Sequence, residues 1–368
     1  MKLLEIFSNL SELRSYGEKV CNNGTGIGLG IDRSNISKPW WLQLQLQPQQ
    51  IKIIMAGDNL TFLAEFVLLG FSEIPNLHGF LFGVFLVIYL CILMGNGLLI
   101  VITKVDPSLQ TPMYFFLGNF SFLEICYTSV TIPRMLADLW SQKTTISFVA
   151  CAVQVCFLYI LGVAECLLLA VMAYDRYVAI CKPLYYPLIM NNKICIELVV
   201  ASWMIGVPIL IEETYLIFSL NFCGPNKINH IFCEAPPLLK LACGDTYKIE
   251  VSVHVIALLF VLIPFLLIFT SYLKIITTIL KLPSTSGRTK AFSTCSSHLT
   301  VVALFYGSGS IVYLQPRSGQ SAESGKVLSL FYTTVTPMLN PVIYSLRNKD
   351  VVAALRKLLP KSIGSLNN

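Results

Sequence analysis

Residues 80–103 read FLFGVFLVIYLCILMGNGLLIVIT, a stretch without Asp, Glu, Lys or Arg. A helix that crosses the hydrocarbon core of a bilayer needs about 20 apolar residues, so this run is long enough to span a membrane. Lipid forces backbone hydrogen bonds to close within each segment, and no segment alternates like a barrel strand. We therefore expect an all-α membrane protein, a seven-transmembrane helix bundle. The predicted spans are residues 80–103, 112–133, 148–172, 198–211, 251–273, 291–314 and 327–346.

The fourth of these stretches is short for a span. It crosses the membrane only if Glu197 and the pair Glu212 and Glu213 lie near the two interfaces.

The composition supports a membrane protein. Of the 368 residues, 55% are hydrophobic and 12% are charged, whereas a soluble protein carries about 25% charged residues. The low charge excludes a disordered chain, and 12 Cys are too few for a disulfide miniprotein of this length. A net charge of +6 would suggest nucleic acid in a soluble chain. In a membrane chain the placement of the basic residues matters more, so we expect membrane lipid and no nucleic acid.

The loops predict the orientation and the division of the chain. With the C-terminus in the cytosol, the inner segments hold almost twice as many Lys and Arg as the outer loops, which puts the N-terminus outside.

Residues 1–54 lack the apolar core of a signal peptide, and we interpret them as a dispensable, disordered extension or an upstream-start artefact, the alternative being an extracellular recognition segment. Residues 55–79 are then an extracellular tail glycosylated at Asn59, and residues 80–346 are the bundle. Residues 347–368 form a cytosolic tail with a short amphipathic helix.

Two carboxyl groups, those of Glu124 and Glu165, lie in the middle of predicted spans. An ion there costs at least about 2.5–3.5 kcal/mol unless it is paired, so such groups are functional or are protonated and hydrogen-bonded. They could form the ion path of a transporter or channel, but the chain has no internal repeat and no paired broken helices.

An intramembrane enzyme is disfavoured because HExxH and GxSxG are absent, and we expect no enzymatic activity.

Four cysteines lie on the predicted outer side: Cys151, Cys223, Cys233 and Cys243. This usage fits a surface that matures in an oxidising compartment. Four cysteines allow three pairings, and spacing does not choose among them. As an alternative, Cys233 could bind a metal together with His230 and Glu234.

Four motifs occur in order on the predicted spans. They are PMYFFLGNFSFLE at 112–124, MAYDRYVAIC at 172–181, KAFSTCSSHL at 290–299 and PMLNPVIYSLRNK at 337–349. Together they resemble the olfactory receptors, a rhodopsin-like branch of the G-protein-coupled receptors, and the resemblance covers about residues 59–359. It implies a receptor of the cell membrane that binds an odorant and activates a heterotrimeric G protein of the stimulatory olfactory type, raising cAMP.

The resemblance assigns an activation role to several residues. Asp175 and Arg176 would hold the resting helix ends together until Arg176 is released to meet the G protein, although the pair could also be a plain interfacial salt bridge. Asn340 and Pro341, followed by Tyr344, match a switch in the seventh span, the alternative being a structural proline kink. The implied coupling residues are Asp175, Arg176, Tyr177, Lys290, His298, Asn340, Pro341 and Tyr344.

The resemblance also implies the disulfides and a polar centre. The family pattern pairs Cys151 with Cys233, and Cys223 with Cys243. The two buried acids would share a proton or hold a sodium ion together with two amides. The residues of this predicted centre are Glu124, Glu165, Asn96 and Asn340.

The ligand pocket is expected in the outer half of the bundle, between the third, fifth, sixth and seventh spans. Leu158, Gly162 and Cys166 follow a four-residue step, which gives one apolar helical face, although such residues can equally be bundle core. Because no Asp or Glu lies on the outer half of the third span, we expect a small neutral ligand and no amine. The candidate ligand-binding residues are Leu158, Tyr159, Gly162, Val163, Cys166, Tyr306, Ser310, Tyr313, Leu330 and Thr333.

Overall fold

The computed structural model describes residues 65–72, 74–141, 144–223, 225–281, 285–314, 322–347 and 349–358. We call the end of the bundle that carries the disulfides the outer end, following the orientation that the sequence predicts, and the opposite end the inner end.

The first three predicted spans are single long helices. They are α1 (His78–Val105), α2 (Pro112–Ser141) and α3 (Phe148–Cys181). Each extends beyond the predicted apolar run, because a helix continues past the hydrocarbon core where polar residues face water or loops. In α2 the helix passes through Pro133 and ends two turns later. Ser147 caps α3, accepting a hydrogen bond from the Ala150 N–H at 3.3 Å.

The fourth span consists of two helices. After the short α4 (Tyr186–Ile189), α5 (Asn192–Met204) and α6 (Val207–Phe218) meet at a bend around Gly206. A Cβ added at Gly206 would lie 2.9 Å from Val163 Cγ1, so the glycine allows this bend to approach α3. The short apolar run of the sequence is therefore the centre of a longer, broken span.

The remaining helices complete the bundle. A short α7 (Ala235–Leu239) lies in the outer loop before α8 (Tyr247–Leu280), and α9 (Thr285–Leu314) is the sixth span. The seventh span is α10 (Ala322–Leu330), a π-helical turn (Phe331–Val335) and α11 (Thr336–Arg347). The amphipathic α12 (Lys349–Leu358) follows. Short 3-10 turns lie at Pro75–Leu77, Pro107–Leu109 and Pro183–Tyr185.

Within the described residues, five helical segments are long and apolar enough to cross a membrane by length and composition. They are Pro75–Val105, Pro112–Ser141, Phe148–Cys181, Asn192–Phe218 and Tyr247–Leu280. The sixth and seventh predicted spans are also helical. In α9 the inner half is rich in Ser and Thr, and the seventh span is divided by its π-helical turn.

A small sheet closes the outer end. Its central strand β1 (Glu65–Leu68) pairs antiparallel with β2 (Thr145–Ser147) and parallel with β3 (Lys227–Ile228). Phe66 of β1 is fully buried and packs on the rings of Phe148 and Phe222, at 6.0 and 5.4 Å between centroids. The sheet thus ties the segment before α1 to two outer loops.

Candidate functional site

Two disulfides hold the long loop between α6 and α8. One joins Cys151 of α3 to Cys233, with 5.5 Å between the Cα atoms, and the other joins Cys223 to Cys243. The Cys233 N–H also donates to Gln154 Oε1 at 2.8 Å. These are the pairings that the family resemblance implies, and they fix the loop over the outer end of α3.

A buried polar network joins the same loop to the seventh span. His230 Nε2 lies 3.1 Å from Ser329 Oγ and 3.6 Å from Glu234 Oε2. The Tyr332 hydroxyl donates to Glu234 Oε1. Because Cys233 is in a disulfide, the alternative metal site lacks its thiolate. In the described part of the chain, no group of three or more His, Cys, Asp or Glu side chains could hold a metal ion.

The predicted ligand residues of α3 have different surroundings. Gly162 borders open space, because a Cβ added there would meet no atom within 4 Å. Cys166 is buried, and its thiol lies against the Tyr306 hydroxyl of α9. Leu158 packs instead in an apolar cluster with Phe232 of the outer loop. Open space therefore lies beside one of these residues, and a contact between α3 and α9 lies one turn further in.

The other predicted pocket residues are less open. Tyr159 and Val163 are half-buried, and Leu330 packs on the apolar cluster around Leu158. Thr333 is 1% exposed, and its hydroxyl donates to a main-chain carbonyl of the preceding turn at 2.6 Å. Two further predicted residues lie on α9 with side chains outside the described set: Ser310 and Tyr313.

Glu213 is a buried acid that sequence reasoning assigned to the membrane interface. It lies within α6, where Leu210, Thr214 and Ile217 are the other buried residues. Ser252 of α8 donates to Glu213 Oε2 at 2.9 Å, and Oε1 has no hydrogen-bond partner among the described residues. The helical spacing of these buried positions was the signal that could have identified Glu213 as facing inward.

The predicted polar centre is assembled in the middle of the bundle. Glu124 and Glu165 are 0% and 3% exposed, and Asn340 Nδ2 donates to Glu124 Oε1. Asn96 Nδ2 donates to the Ile92 carbonyl at 3.1 Å. Four buried oxygens have no hydrogen-bond partner among the described residues: Asn96 Oδ1, Ser121 Oγ, Glu124 Oε2 and Asn340 Oδ1. Hard cations prefer oxygen ligands of this kind.

At the inner end of α3, Asp175 contacts a residue from the following loop. It is 2% exposed and accepts a hydrogen bond from the Tyr186 hydroxyl at 2.8 Å. The burial of Tyr186 and the nearby Asp175 carboxylate raise the pKa of the Tyr186 hydroxyl. No described carboxylate lies within ion-pair distance of the half-buried Arg176 guanidinium. The contact that restrains Asp175 in this structure therefore comes from the inner loop, and the described residues form no ion pair between Asp175 and Arg176.

The other predicted coupling residues line the inner halves of several helices. His298 of α9 is 1% exposed, and its Nδ1 lies 2.8 Å from the Tyr272 hydroxyl of α8. Tyr344 is buried and packs edge-on against Phe120, with centroids 6.4 Å apart. A Cβ added at Gly95 would lie 3.0 Å from Pro341 Cγ, so α1 passes close to this proline.

Basic groups surround Tyr177 at the inner end. Lys182 Nζ and Lys274 Nζ lie 5.9 and 5.5 Å from the centre of its ring, within the range of cation–π attraction. Lys290 lies in the first turns of α9, and its side chain is outside the described set.

A contact between Asp106 and Lys357 fixes α12 to the loop after α1. Asp106 Oδ1 accepts hydrogen bonds from the Ser108 hydroxyl at 2.7 Å and the Ser108 N–H at 2.9 Å, and Lys357 Nζ lies 3.0 Å from Oδ2. The hydrogen bonds from Ser108, followed by that from Lys357, lower the pKa of Asp106 to about 2. The acid is therefore ionised at neutral pH.

The predicted glycosylation residue Asn59 and the extension 1–54 lie outside the described residues.

Comparisons with known proteins agree with this arrangement. The model of a family described as "Olfactory receptor" matches residues 85–362. "Olfactory receptor 10AG1" of Homo sapiens is 63% identical over 297 residues, covering 81% of this chain and 99% of the relative. "Olfactory receptor 10A5" of Homo sapiens is 54% identical over 314 residues, covering 85% of this chain and 99% of the relative. The crystal structure of squid rhodopsin superposes with a TM-score of 0.63 at 18% identity, covering 80% of this chain and 83% of that chain, which shows a shared fold.

Proposed function

The chain belongs to the olfactory receptor family, and from that premise we propose that it binds a small, mostly apolar odorant in the outer half of its bundle. Binding of the odorant activates the stimulatory olfactory-type G protein and raises cAMP. As a member of this family it is a multi-pass protein of the plasma membrane and a receptor, not an enzyme. In the proposed orientation the N-terminus is outside and the C-terminus is cytosolic.

The contact between Cys166 and Tyr306 is the observation that carries this proposal. It joins α3 to α9 one turn inward from the open space at Gly162. On the same helix, His298 lies about two turns further inward and bonds Tyr272 of α8. A ligand that displaces Tyr306 would therefore bias the inner half of α9.

The inner end supplies the surface for the G protein. Release of Asp175 from Tyr186 would free the loop that covers the end of α3. Arg176, already without a described carboxylate partner, would then be available to the G protein. Such an exchange of partners is typical of a bistable element.

The polar centre is proposed to hold a sodium ion. Glu124 and Asn340 would supply oxygen ligands, with Asn96 and Glu165 beside them, and the unpartnered buried oxygens support this assignment. A bound cation would stabilise the resting arrangement of α2, α3 and α11 by neutralising the buried acids. The measurement is receptor stability with sodium or with choline as the cation. Equal stability in both would favour a shared proton.

The outer segments complete the proposal. Residues 55–79 are the extracellular tail, glycosylated at Asn59, and residues 1–54 are dispensable for signalling. Residues 347–368 form the cytosolic tail.

The experiment is a ligand screen on cells that express the chain together with the stimulatory olfactory-type G protein. We expect a concentration-dependent rise in cAMP with at least one apolar volatile compound. A chain that reaches the surface but changes membrane current and not cAMP would favour a channel.

A further inference from the structure

Glu213 leaves one carboxyl oxygen unsatisfied inside the outer half of the bundle. The side chain is 3% exposed, whereas its neighbour Glu212 is exposed. Ser252 of α8 holds Oε2 at 2.9 Å, and Oε1 has no hydrogen-bond partner among the described residues. No described Lys, Arg or His forms an ion pair with it. A buried acceptor without a partner costs free energy that a bound donor group would recover.

The position of Glu213 relates it to the predicted pocket. Gly206 packs against Val163 of α3, and Glu213 lies about two turns further out on α6, on its buried face. Next to it, Thr214 lies close to Cys156, which is about two turns outward from Val163 on α3. Glu213 therefore lies near the level of Cys156 on α3, and the open space at Gly162 begins about one and a half turns further inward.

We propose that Glu213 Oε1 is the polar anchor of a ligand subsite between α3, α6 and α8. The ligand of this subsite has an apolar tail and a polar end that donates hydrogen bonds, as in an alcohol or a primary amine. This inference rests on the proposed function and changes its ligand class, because the absence of acids on the outer half of α3 had argued against amines. The apolar tail would extend toward Gly162. Ser252 positions the carboxyl group by holding its other oxygen.

The test uses four probes with the same eight-carbon chain: 1-octanol, octylamine, octanal and octane. The readout is the shift in thermal unfolding temperature of the purified full chain in nanodiscs, which does not depend on a G protein. We expect the two donors to half-saturate that shift at concentrations at least tenfold below octanal, because one hydrogen bond to a charged group is worth roughly that factor. Equal potency of the donors and octanal in the wild-type chain, or no shift with either donor, would overturn the proposal.

Three variants localise the effect. Glu213→Met should abolish the preference for the two donors over octanal. Glu213→Gln keeps the shape of the side chain and a carbonyl oxygen, so it should retain the preference for octanol over octanal. It should lose the preference for octylamine over octanal. Glu212→Gln is the matched control at the exposed neighbour and should behave like the wild-type chain. An unchanged donor preference in Glu213→Met contradicts the assignment. If Glu213→Met does not fold, an unchanged octylamine preference in Glu213→Gln contradicts it equally.

Failure of the proposed function gives a different result. In that case the donors stabilise the chain as described, yet no ligand raises cAMP in cells. The subsite and the signalling role are thus tested separately.

Discussion

Tyr306 is the residue at which ligand contact and helix movement are expected to meet. The change Tyr306→Phe keeps the ring and removes the hydroxyl that lies against the Cys166 thiol. We expect normal folding and a lower maximal response, because a ligand shifts a two-state equilibrium only by its differential contacts with the two states. Dose–response curves at matched surface expression measure this. An unchanged maximum would show that the hydroxyl does not couple α3 to α9.

Gly162 tests the position of the pocket separately. The change Gly162→Leu fills the open space beside α3 and should raise the concentration for half response about tenfold or more, since about 1.4 kcal/mol of lost binding gives that factor. Gly307→Leu is the matched control, because Gly307 is exposed and also borders open space. If Gly162→Leu responds like the wild-type chain to ligands of several sizes, the pocket is elsewhere.

The sequence motifs predicted which residues belong to the candidate site better than they predicted the hydrogen-bond partners of those residues. Asn340 and Glu124 were predicted to lie together, and the structure has the hydrogen bond between them. Tyr186 was not foreseen as the partner of Asp175, because that contact depends on how the inner loop folds back on α3. Glu213 was missed because which face of α6 is buried depends on the bend between α5 and α6.

Among the elements, the outer loop depends on one covalent bond to α3. Replacing Cys151 or Cys233 by Ser should abolish surface expression, because either change removes the same bond and releases the loop. The double variant should be no worse than either single variant, since the two losses do not add when they remove one interaction. Surface labelling of intact cells measures this. Additive losses would mean that the two cysteines act independently.

The bend between α5 and α6 depends on the small size of Gly206. In Gly206→Ala the new Cβ would lie 2.9 Å from Val163 Cγ1, and overpacking of this kind costs about 1–3 kcal/mol. We expect a lower thermal unfolding midpoint in detergent. Gly97→Ala is the matched control, because a Cβ there meets no atom within 4 Å and alanine stabilises a helix by about 0.5–1 kcal/mol relative to glycine. Equal midpoints would contradict close packing at Gly206.

Hydropathy predicted the centres of the helices but not their ends or breaks. Apolar runs report the hydrocarbon core, and helices such as α3 continue beyond it to Cys181. The break in the fourth span and the π-helical turn Phe331–Val335 depend on packing between helices. The hydropathy of one segment carries no information about that packing. The sheet formed by β1, β2 and β3 joins three distant segments and was not predicted.

For the whole molecule, the extension before Met55 is expected to be dispensable. Deleting residues 1–54 should leave surface level and ligand response unchanged, because the chain from Met55 contains the tail, the bundle, the four motifs and the whole of the family match at residues 85–362. Asn59→Gln should remove the glycan, seen as a mobility shift after glycosidase treatment of the wild-type chain. A truncated chain that traffics normally and loses its response would assign recognition to the extension.

The fold class and the family were predictable from the sequence because spans and motifs are local patterns. The odorant was not, because the shape of the pocket arises from contacts among α3, α6, α8 and α9. The buried Glu213 shows how one such contact changes the expected ligand chemistry.

The most direct test of the receptor assignment is ligand-evoked cAMP in cells that express the full chain with the stimulatory olfactory-type G protein, compared with Arg176→Ala at matched surface expression. The wild-type chain should respond in a concentration-dependent way, and Arg176→Ala should lose most or all of the response, because Arg176 is the group expected to meet the G protein. Full signalling by Arg176→Ala would contradict the account.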